Sequence, residues 1–167
     1  EEWMYLQRCA GFAAVNRSAL SALKAFGADD RTVCLGNPVD MAVHGGEPTK
    51  VTAIQAVWAG NDSHTSDRSG DAKGRHTILE PACEAADVPF LKAEYSTSRL
   101  PPEEMPEFYR MGSVVLCGSA HEGSANFIME AMAAGLVVIS TDTGNVREML
   151  ENQMEHFGES GIVIVER

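Results

Sequence analysis

The segment 114–139 constrains the fold of this chain more than any other stretch. It holds two apolar runs, 114–117 and 136–139, joined by a loop of small residues and a helix pattern. Within the helix pattern, 126–134, the single charged side chain is Glu130. Strand, loop, helix and strand in this order form a βαβ unit, which predicts parallel strands.

The rest of the chain repeats this alternation. Strands are predicted at 10–15, 32–35, 51–59, 88–92, 114–117, 136–139 and 161–165. Helices are predicted at 1–10, 18–26, 75–86, 101–111, 126–134 and 145–151. The pattern predicts an α/β fold with a Rossmann-like, doubly wound and mostly parallel sheet. Ligands of such sheets bind beyond the carboxyl ends of the strands.

Composition narrows the classes of function. The chain has 167 residues, 44% of them apolar, and a net charge of −11, which argues against nucleic acid or an anionic membrane as the main partner. It contains no apolar run long enough to span a bilayer and no signal peptide. Its four cysteines lack CxxC spacing, so we expect reduced thiols in or near the core of a cytoplasmic protein.

Two acids flank the start of the central helix. An apolar helix is expected to be buried, and a buried carboxylate such as Glu130 needs hydrogen-bond donors from the protein or from a ligand. Glu122 lies eight residues earlier, in the loop. The residues 123–126 between them can leave backbone N–H groups free to hold an anion. Because carboxylates accept hydrogen bonds from sugar diols, this order of groups suits a nucleotide sugar.

Other chemistries are poorly supported. The five histidines are scattered and no zinc-site spacing occurs, so no metal site is predicted. The serine-hydrolase elbow, the P-loop and the dinucleotide fingerprint are absent. A glycosidase also uses two carboxylates, but it does not need a phosphate-binding turn between them. Lys73 follows a predicted strand on the ligand edge, where it could be solvated or could neutralise a phosphate.

At 105–144 the chain resembles the C-terminal, donor-binding half of the retaining GT-B glycosyltransferases of family 4, the glycosyl transferases group 1. The acid–seven residues–acid motif of that family falls on Glu122 and Glu130 in register. Lys73-Gly74 resembles its Lys-Gly pair, and 36–40 resembles its turn after the interdomain linker.

The resemblance implies a transferase that moves a sugar from a nucleoside-diphosphate sugar, with UDP or GDP as nucleotide, to a glycan, lipid or small-molecule acceptor. Glu122 and Lys73 would be catalytic. The implied donor-binding residues are Asn61, Lys73, Glu122, Gly123, Ser124, Ala125, Asn126, Phe127 and Glu130. The resemblance implies no cofactor and no obligatory metal, and no nucleic-acid partner.

The same resemblance divides the chain. Residues 1–40 would end the interdomain region and supply the first β/α elements, 41–50 would be a linker, and 51–167 would bind the donor. An acceptor-binding N-terminal domain would lie upstream, so we expect this piece to be inactive alone, with at most peripheral membrane contact through the missing domain.

The chain also departs from the family pattern. At the position of Asn61 the family commonly has an arginine that binds the diphosphate. Arg68 or Arg75 could supply this second diphosphate cation instead. The segment 88–99 is shorter than in many members of the family, with one clear strand. The resemblance therefore does not indicate which residues would recognise the base. A non-catalytic nucleotide-binding or scaffold module on the same fold is the alternative function. A metal-free epimerase or hydrolase is less favoured, because no acid–base set for it is present.

Overall fold

The computed structural model describes residues 9–46, 53–61 and 70–167. The strands are β1 (Phe12–Ala14), β2 (Thr32–Cys34), β3 (Ala56–Gly60), β4 (Phe90–Glu94), β5 (Val114–Cys117), β6 (Val137–Thr141) and β7 (Ile162–Val165). The α-helices are α1 (Arg17–Ala25), α2 (Met41–His44), α3 (Glu80–Ala85), α4 (Met105–Arg110), α5 (Asn126–Ala133) and α6 (Val146–Phe157). Shorter turns are 3₁₀ at Asp29–Arg31 and Pro102–Glu104 and π-helical at Arg75–Leu79.

Five parallel strands form the main sheet in the order β4-β3-β5-β6-β7. This order reverses direction between β3 and β5, because the chain first adds β4 on one side of β3 and then β5 on the other. The crevice beyond the carboxyl ends of β3 and β5 is therefore the expected ligand position of a doubly wound sheet. The predicted fold class is confirmed.

The helices pack on both faces of this sheet. Alternate side chains of a strand point to opposite faces, so Val57 joins a core beneath α4, α5 and α6, while Trp58 joins a second core with α3. Val57, Val115, Val138 and Ile128 are fully buried in the first core. The position of α5 above β5 follows from this packing and brings its first turn to the crevice.

A smaller β/α unit precedes the main sheet. Strands β1 and β2 pair in parallel, and α1 lies between them in the chain. Asn16 begins α1 by accepting a hydrogen bond from the Ala19 N–H at 2.7 Å. The Arg17 N–H and guanidinium bond Glu148 and Glu151 of α6 at 2.6 and 3.0 Å. These contacts dock the small unit against the main domain.

Several predicted element bounds shift. Strand β3 starts at Ala56 rather than at 51, and β4 runs two residues further than predicted. Helix α6 continues to Phe157, beyond the predicted end at 151, because helix-forming residues persist until Gly158, whose φ of 74° ends the helix. The one-turn helix α2 lies inside the predicted linker.

Some predictions fall outside the described residues. They concern the helix at 1–10 apart from its last two residues, the linker at 47–50, the first two residues of the predicted strand at 51–59, and the loop at 62–69, which contains Arg68.

The expectation that the 126–134 helix is buried all round is wrong. In α5 the fully buried residues are Ile128 and Ala131, whereas Glu130 is half-buried. The reason is its place at the crevice: one side of α5 packs on the sheet, and the side that carries Glu130 borders an open cleft. The apolar pattern alone does not distinguish a core from a cleft wall.

Candidate functional site

A cleft of about 310 Å³ opens beyond the carboxyl ends of β3 and β5. We call it the central cleft. It brings together seven of the residues that the sequence predicted as donor-binding, namely Lys73, Glu122, Ser124, Ala125, Asn126, Phe127 and Glu130. Gly123 lies between two of them in the chain. Asn61 instead lines an adjoining cavity.

Glu130 has one protein donor in the central cleft. The Tyr109 hydroxyl, fully buried on α4, donates to Glu130 Oε2 at 2.8 Å. Burial, together with the neighbouring Glu130 carboxylate, raises the pKa of Tyr109 far above its ordinary value, so this hydroxyl stays protonated and keeps donating. Among the described residues, no donor reaches Glu130 Oε1. The carboxylate can therefore accept further hydrogen bonds from a ligand.

Glu122 is held by two donors on one oxygen. The Lys73 ammonium lies 2.6 Å from Glu122 Oε1, and the Ser119 hydroxyl donates to the same atom at 2.7 Å. Ser119 is itself buried, and its carbonyl accepts a hydrogen bond from the Thr141 hydroxyl at 2.7 Å. The ends of β5 and β6 thus fix the Glu122 side chain, and Lys73 and Glu122 form a pair rather than two separate groups.

The Lys73 turn must sit close to the β5 loop. Gly74 has a φ of 65°, and a Cβ atom there would lie 2.3 Å from the Gly118 carbonyl oxygen. Only glycine fits such an approach. The Ala120 N–H donates to the Ala72 carbonyl at 2.9 Å, which ties the two loops together. Lys73 is thereby presented to the central cleft by backbone contacts on both sides of it.

The start of α5 leaves backbone donors for a ligand. Its N-cap residue is Ala125, which has no side-chain acceptor, so no side chain caps this helix in the described structure. The first helical hydrogen bonds come from the N–H groups of Ile128 and Met129. The N–H groups of Asn126 and Phe127, the two residues directly before them, have no helical acceptor and carry the positive end of the helix dipole.

Three asparagines hold the loop after β5 and the start of α5. None of them was predicted from the sequence as a functional residue. Asn16 donates to the Gly123 carbonyl at 2.6 Å, Asn37 donates to the Asn126 side chain at 2.8 Å, and Asn145 donates to the Ser124 hydroxyl at 3.1 Å. Asn16 and Asn145 are buried. A signal existed for Asn16, which precedes a helix as N-cap residues do, but its contact with Gly123 spans 107 positions.

Glu122 also borders a second cavity, of about 560 Å³, on its other side. We call it the outer cavity. Residues 16–18 of the small unit form one wall, and His121, Asp142 and Arg147 form the opposite wall. Arg147 is paired with Asp142 at 2.5 Å. Glu122 therefore stands between two spaces, each able to hold part of a ligand.

The described residues contain no helix that is long and apolar enough to cross a membrane, and no cluster of three or more His, Cys, Asp or Glu side chains that could hold a metal. Of the four cysteines, Cys83 and Cys117 are buried, whereas Cys9 and Cys34 are exposed. Burial raises the pKa of Cys117. The prediction that the thiols lie in or near the core is thus right for Cys83 and Cys117 and wrong for Cys9 and Cys34.

A family model described as "Glycosyl transferases group 1" matches residues 70–167, which is more than half of the chain. The chain belongs to the group 1 glycosyltransferases. No curated protein matches it significantly. The parallel sheet agrees with a Rossmann-like half of a GT-B glycosyltransferase. The matched range includes Lys73, Glu122 and Glu130, while Asn61 lies before it.

In this glycosyltransferase, Arg75 is directed away from the central cleft. Its guanidinium pairs with Glu94 at 2.5 Å and Glu80 at 2.9 Å and lies 5.7 Å from the centre of the Trp58 ring. The side chain is buried there. Among the described residues lining the cleft, Lys73 is the cation. Arg75 does not line the central cleft, so its position does not favour it as the second diphosphate cation that the resemblance leaves open.

Proposed function

We propose that this glycosyltransferase domain binds the nucleoside-diphosphate sugar that donates the transferred sugar, with the nucleotide in the central cleft. The observation that carries the proposal is the placement of Glu122, the α5 start and Glu130 along one cleft at the switch point of the sheet. Along the cleft, Glu122, the backbone N–H groups of the α5 start and Glu130 follow one another in the same order as the sugar, the diphosphate and the ribose of the donor.

Glu130 is the proposed ribose acceptor. A carboxylate can accept both hydroxyls of a vicinal diol, and the Tyr109 hydrogen bond on Oε2 fixes its orientation without occupying Oε1. The N–H groups at the start of α5 are the proposed diphosphate donors, because a helix N-terminus favours phosphate. Lys73 supplies positive charge across the cleft from this helix start.

Glu122 is the proposed contact for the hydroxyls of the donor sugar, at the boundary between the central cleft and the outer cavity. In the proposed transfer, the bond between the sugar and the β-phosphate breaks and the nucleoside diphosphate leaves with the electron pair. Lys73 and the α5 amides would stabilise the charge that develops there, without an obligatory metal. We propose that a hydroxyl oxygen of the acceptor bonds the same sugar carbon on the face that the diphosphate leaves, and that its proton passes to the leaving phosphate oxygen. Attack on this face retains the configuration of the sugar.

The pairing of Lys73 with Glu122 favours one alternative. A lysine already neutralised by a carboxylate at 2.6 Å suits a module that binds nucleotide weakly and does not catalyse. The two functions differ in turnover. A transferase consumes a nucleotide sugar when acceptor is present, whereas a binding module leaves it intact.

Two isosteric variants test the role of each acid. Glu130→Gln removes the charge at the proposed ribose site and is expected to weaken binding of UDP or GDP about tenfold or more, since hydrogen bonds to charged groups contribute about 1.5–3 kcal/mol. Glu122→Gln should not weaken binding of the bare nucleotide, because it removes no diphosphate or ribose contact and releases Lys73 from its ion pair. It should weaken the nucleotide sugar about tenfold by removing a charged sugar acceptor.

Calorimetric titration of each variant with a nucleoside diphosphate and its sugar derivative measures these effects. Glu155→Gln, an exposed acid on α6, is the matched control and should change neither affinity. Equal losses for both ligands in both acid variants would contradict the separate roles.

A further inference from the structure

The small unit contacts the loop before α5 through one buried side chain, Asn16. Asn16 lies directly before α1 and is 5% exposed. Its Nδ2 donates to the Gly123 carbonyl at 2.6 Å, and its Oδ1 accepts the Ala19 N–H at 2.7 Å. A carbonyl can only accept and a backbone N–H can only donate, so the two partners identify the amide nitrogen and oxygen. Asn16 therefore makes two separate contacts, one with each end of its amide.

The first turn of α1 holds Asn16 in this orientation. Because the side-chain amide is planar, binding of Oδ1 to the Ala19 N–H also sets the direction of Nδ2. The next residue adds an anchor on α6, where the Arg17 N–H donates to Glu148 Oε1 at 2.6 Å. The Glu148 side chain is mostly covered. The amide nitrogen of Asn16 is thus directed at the loop without help from a ligand.

The hydrogen bond on the Gly123 carbonyl orients a whole peptide group. The described residues contain no cis peptide bond, and in a trans peptide the C=O and the N–H point in opposite directions. The N–H of this peptide belongs to Ser124, which lines the central cleft. Because Asn16 holds the carbonyl towards the small unit, the Ser124 N–H points away from that unit.

The Ser124 N–H is a donor with no acceptor among the described residues. The hydroxyl of Ser124 is engaged separately, since it accepts a hydrogen bond from Asn145 Nδ2 at 3.1 Å. A hydrogen bond on the carbonyl of a peptide polarises the N–H of the same peptide and makes it a stronger donor. The loop therefore offers a further backbone donor next to those of Asn126 and Phe127.

We propose that Asn16 is a positioning residue for the donor diphosphate, which holds the Gly123–Ser124 peptide so that the Ser124 N–H faces the phosphates. The inference rests on the proposed function, because it requires a diphosphate at the start of α5. Asn16 lies outside the range 70–167 that the family model matches. The small unit then contributes to donor binding without touching the donor.

The alternative role for Asn16 is that of an N-cap alone, and three substitutions separate the two roles. Asn16→Ser and Asn16→Asp keep an acceptor for the Ala19 N–H, as good N-cap residues do, but lose the amide nitrogen that reaches Gly123. Asn16→Ala loses both the cap and the amide nitrogen. Because serine adds no charge, a loss shared by the serine and aspartate variants cannot come from charge.

Calorimetric titration with UDP, GDP and ADP measures nucleotide affinity, and urea denaturation measures stability. We expect each of the three variants to weaken the nucleotides that the wild type binds about three- to tenfold, the scale of one hydrogen bond. Asn16→Ala should be less stable than Asn16→Ser, since it alone lacks the cap. Asn152→Ser, the same change at an exposed position of α6, is the matched control and should bind like the wild type.

The NMR resonance of the Ser124 amide nitrogen gives a readout that capping of α1 does not move. A hydrogen bond on the Gly123 carbonyl changes the polarity of the Ser124 N–H, so this resonance should move in all three variants without ligand. It should stay in place in Asn152→Ser. An unmoved Ser124 resonance in Asn16→Ser would show that Asn16 does not orient this peptide.

The other outcomes overturn the inference in distinguishable ways. If only Asn16→Ala weakens the nucleotides, the residue acts as a cap. A loss in Asn16→Asp without a loss in Asn16→Ser indicates charge repulsion instead. If the wild type binds none of the nucleotides at millimolar concentration, the proposed function fails together with this inference. If nucleotides bind and Glu130→Gln weakens them, but the serine and aspartate variants bind like the wild type, the proposed function stands and this inference fails.

Discussion

At the scale of single residues, the central feature is the Glu122 carboxylate, whose two hydrogen-bond donors both contact the same oxygen. Lys73 and Ser119 both bond Glu122 Oε1, and the lysine and acid side chains are 25% and 14% exposed. Both side chains are mostly covered, so the pair contributes more to folding than a surface ion pair, whose share is about 1 kcal/mol or less. Because the Ser119 hydroxyl also donates to Glu122 Oε1, this carboxylate keeps a donor when Lys73 moves to a phosphate.

This exchange makes Lys73→Met informative. We expect the affinity for a nucleoside diphosphate to fall about tenfold or more, because one charge-assisted hydrogen bond to phosphate is lost. The free energy of unfolding should fall by about 1–3 kcal/mol, because the mostly covered Glu122 carboxylate loses one of its two donors. Calorimetric titration and urea denaturation measure the two quantities.

The control for the lysine variant is Lys24→Met on α1, an exposed lysine that makes the same change in net charge away from the cleft. It separates the local contact from the general field of a chain with a net charge of −11. If both variants weaken binding equally, Lys73 acts through net charge and does not contact the phosphate.

At the scale of elements, the turn that presents Lys73 depends on Asp71. Its carboxylate accepts hydrogen bonds from the Thr77 N–H and hydroxyl, both at 2.8 Å, and from the Arg75 N–H at 3.0 Å. Partial burial acts to raise the pKa of Asp71, but these hydrogen bonds outweigh it and lower the pKa below its ordinary value. Asp71 thus acts as the cap for the turn Arg75–Leu79.

A lowered carboxyl pKa gives a pH dependence of known sign. The stabilisation by Asp71 is present above the unfolded-state pKa, about 3.9, and is lost as the pH falls through the lower folded-state value. Asp71→Asn should therefore cost about 1 kcal/mol at neutral pH, the scale of a lost cap. The difference in the free energy of unfolding between wild type and variant should shrink at about pH 3.

Urea denaturation of wild type and Asp71→Asn at the two pH values tests this expectation. An equal difference at both values would show that the charge of Asp71 does not stabilise the turn.

The central element was predictable because its pattern is local. Strand β5, the loop and α5 follow one another within 114–133, and each leaves a periodic or small-residue signal in the chain. Glu122 in this loop and Glu130 in the helix were identified for the same reason. Their placement in one cleft then follows from a single βαβ unit.

The contacts that complete the site could not be predicted in this way. Tyr109 meets Glu130 across 21 positions, Lys73 meets Glu122 across 49, and Asn16 meets Gly123 across 107. Each pair comes together only through packing of different elements. The half-exposed side of α5 escaped prediction because apolar residues line both a core and a ligand cleft.

At the scale of the whole molecule, two units meet at the site. The small unit reaches the β5 loop through Asn16, the start of α5 through Asn37, and α6 through Arg17. The main sheet supplies the loops after β3 and β5. The sheet order therefore places the proposed sugar, diphosphate and ribose contacts along one line beyond the strand ends.

The central claim is that a nucleoside diphosphate binds along this line. The most direct measurement is the map of backbone amide NMR shifts on titration with UDP or GDP. We expect the largest changes at residues 123–127 and around Lys73, and little change on the far side of α6. An absence of shifts at millimolar nucleotide, or shifts confined to residues away from the central cleft, would contradict the claim.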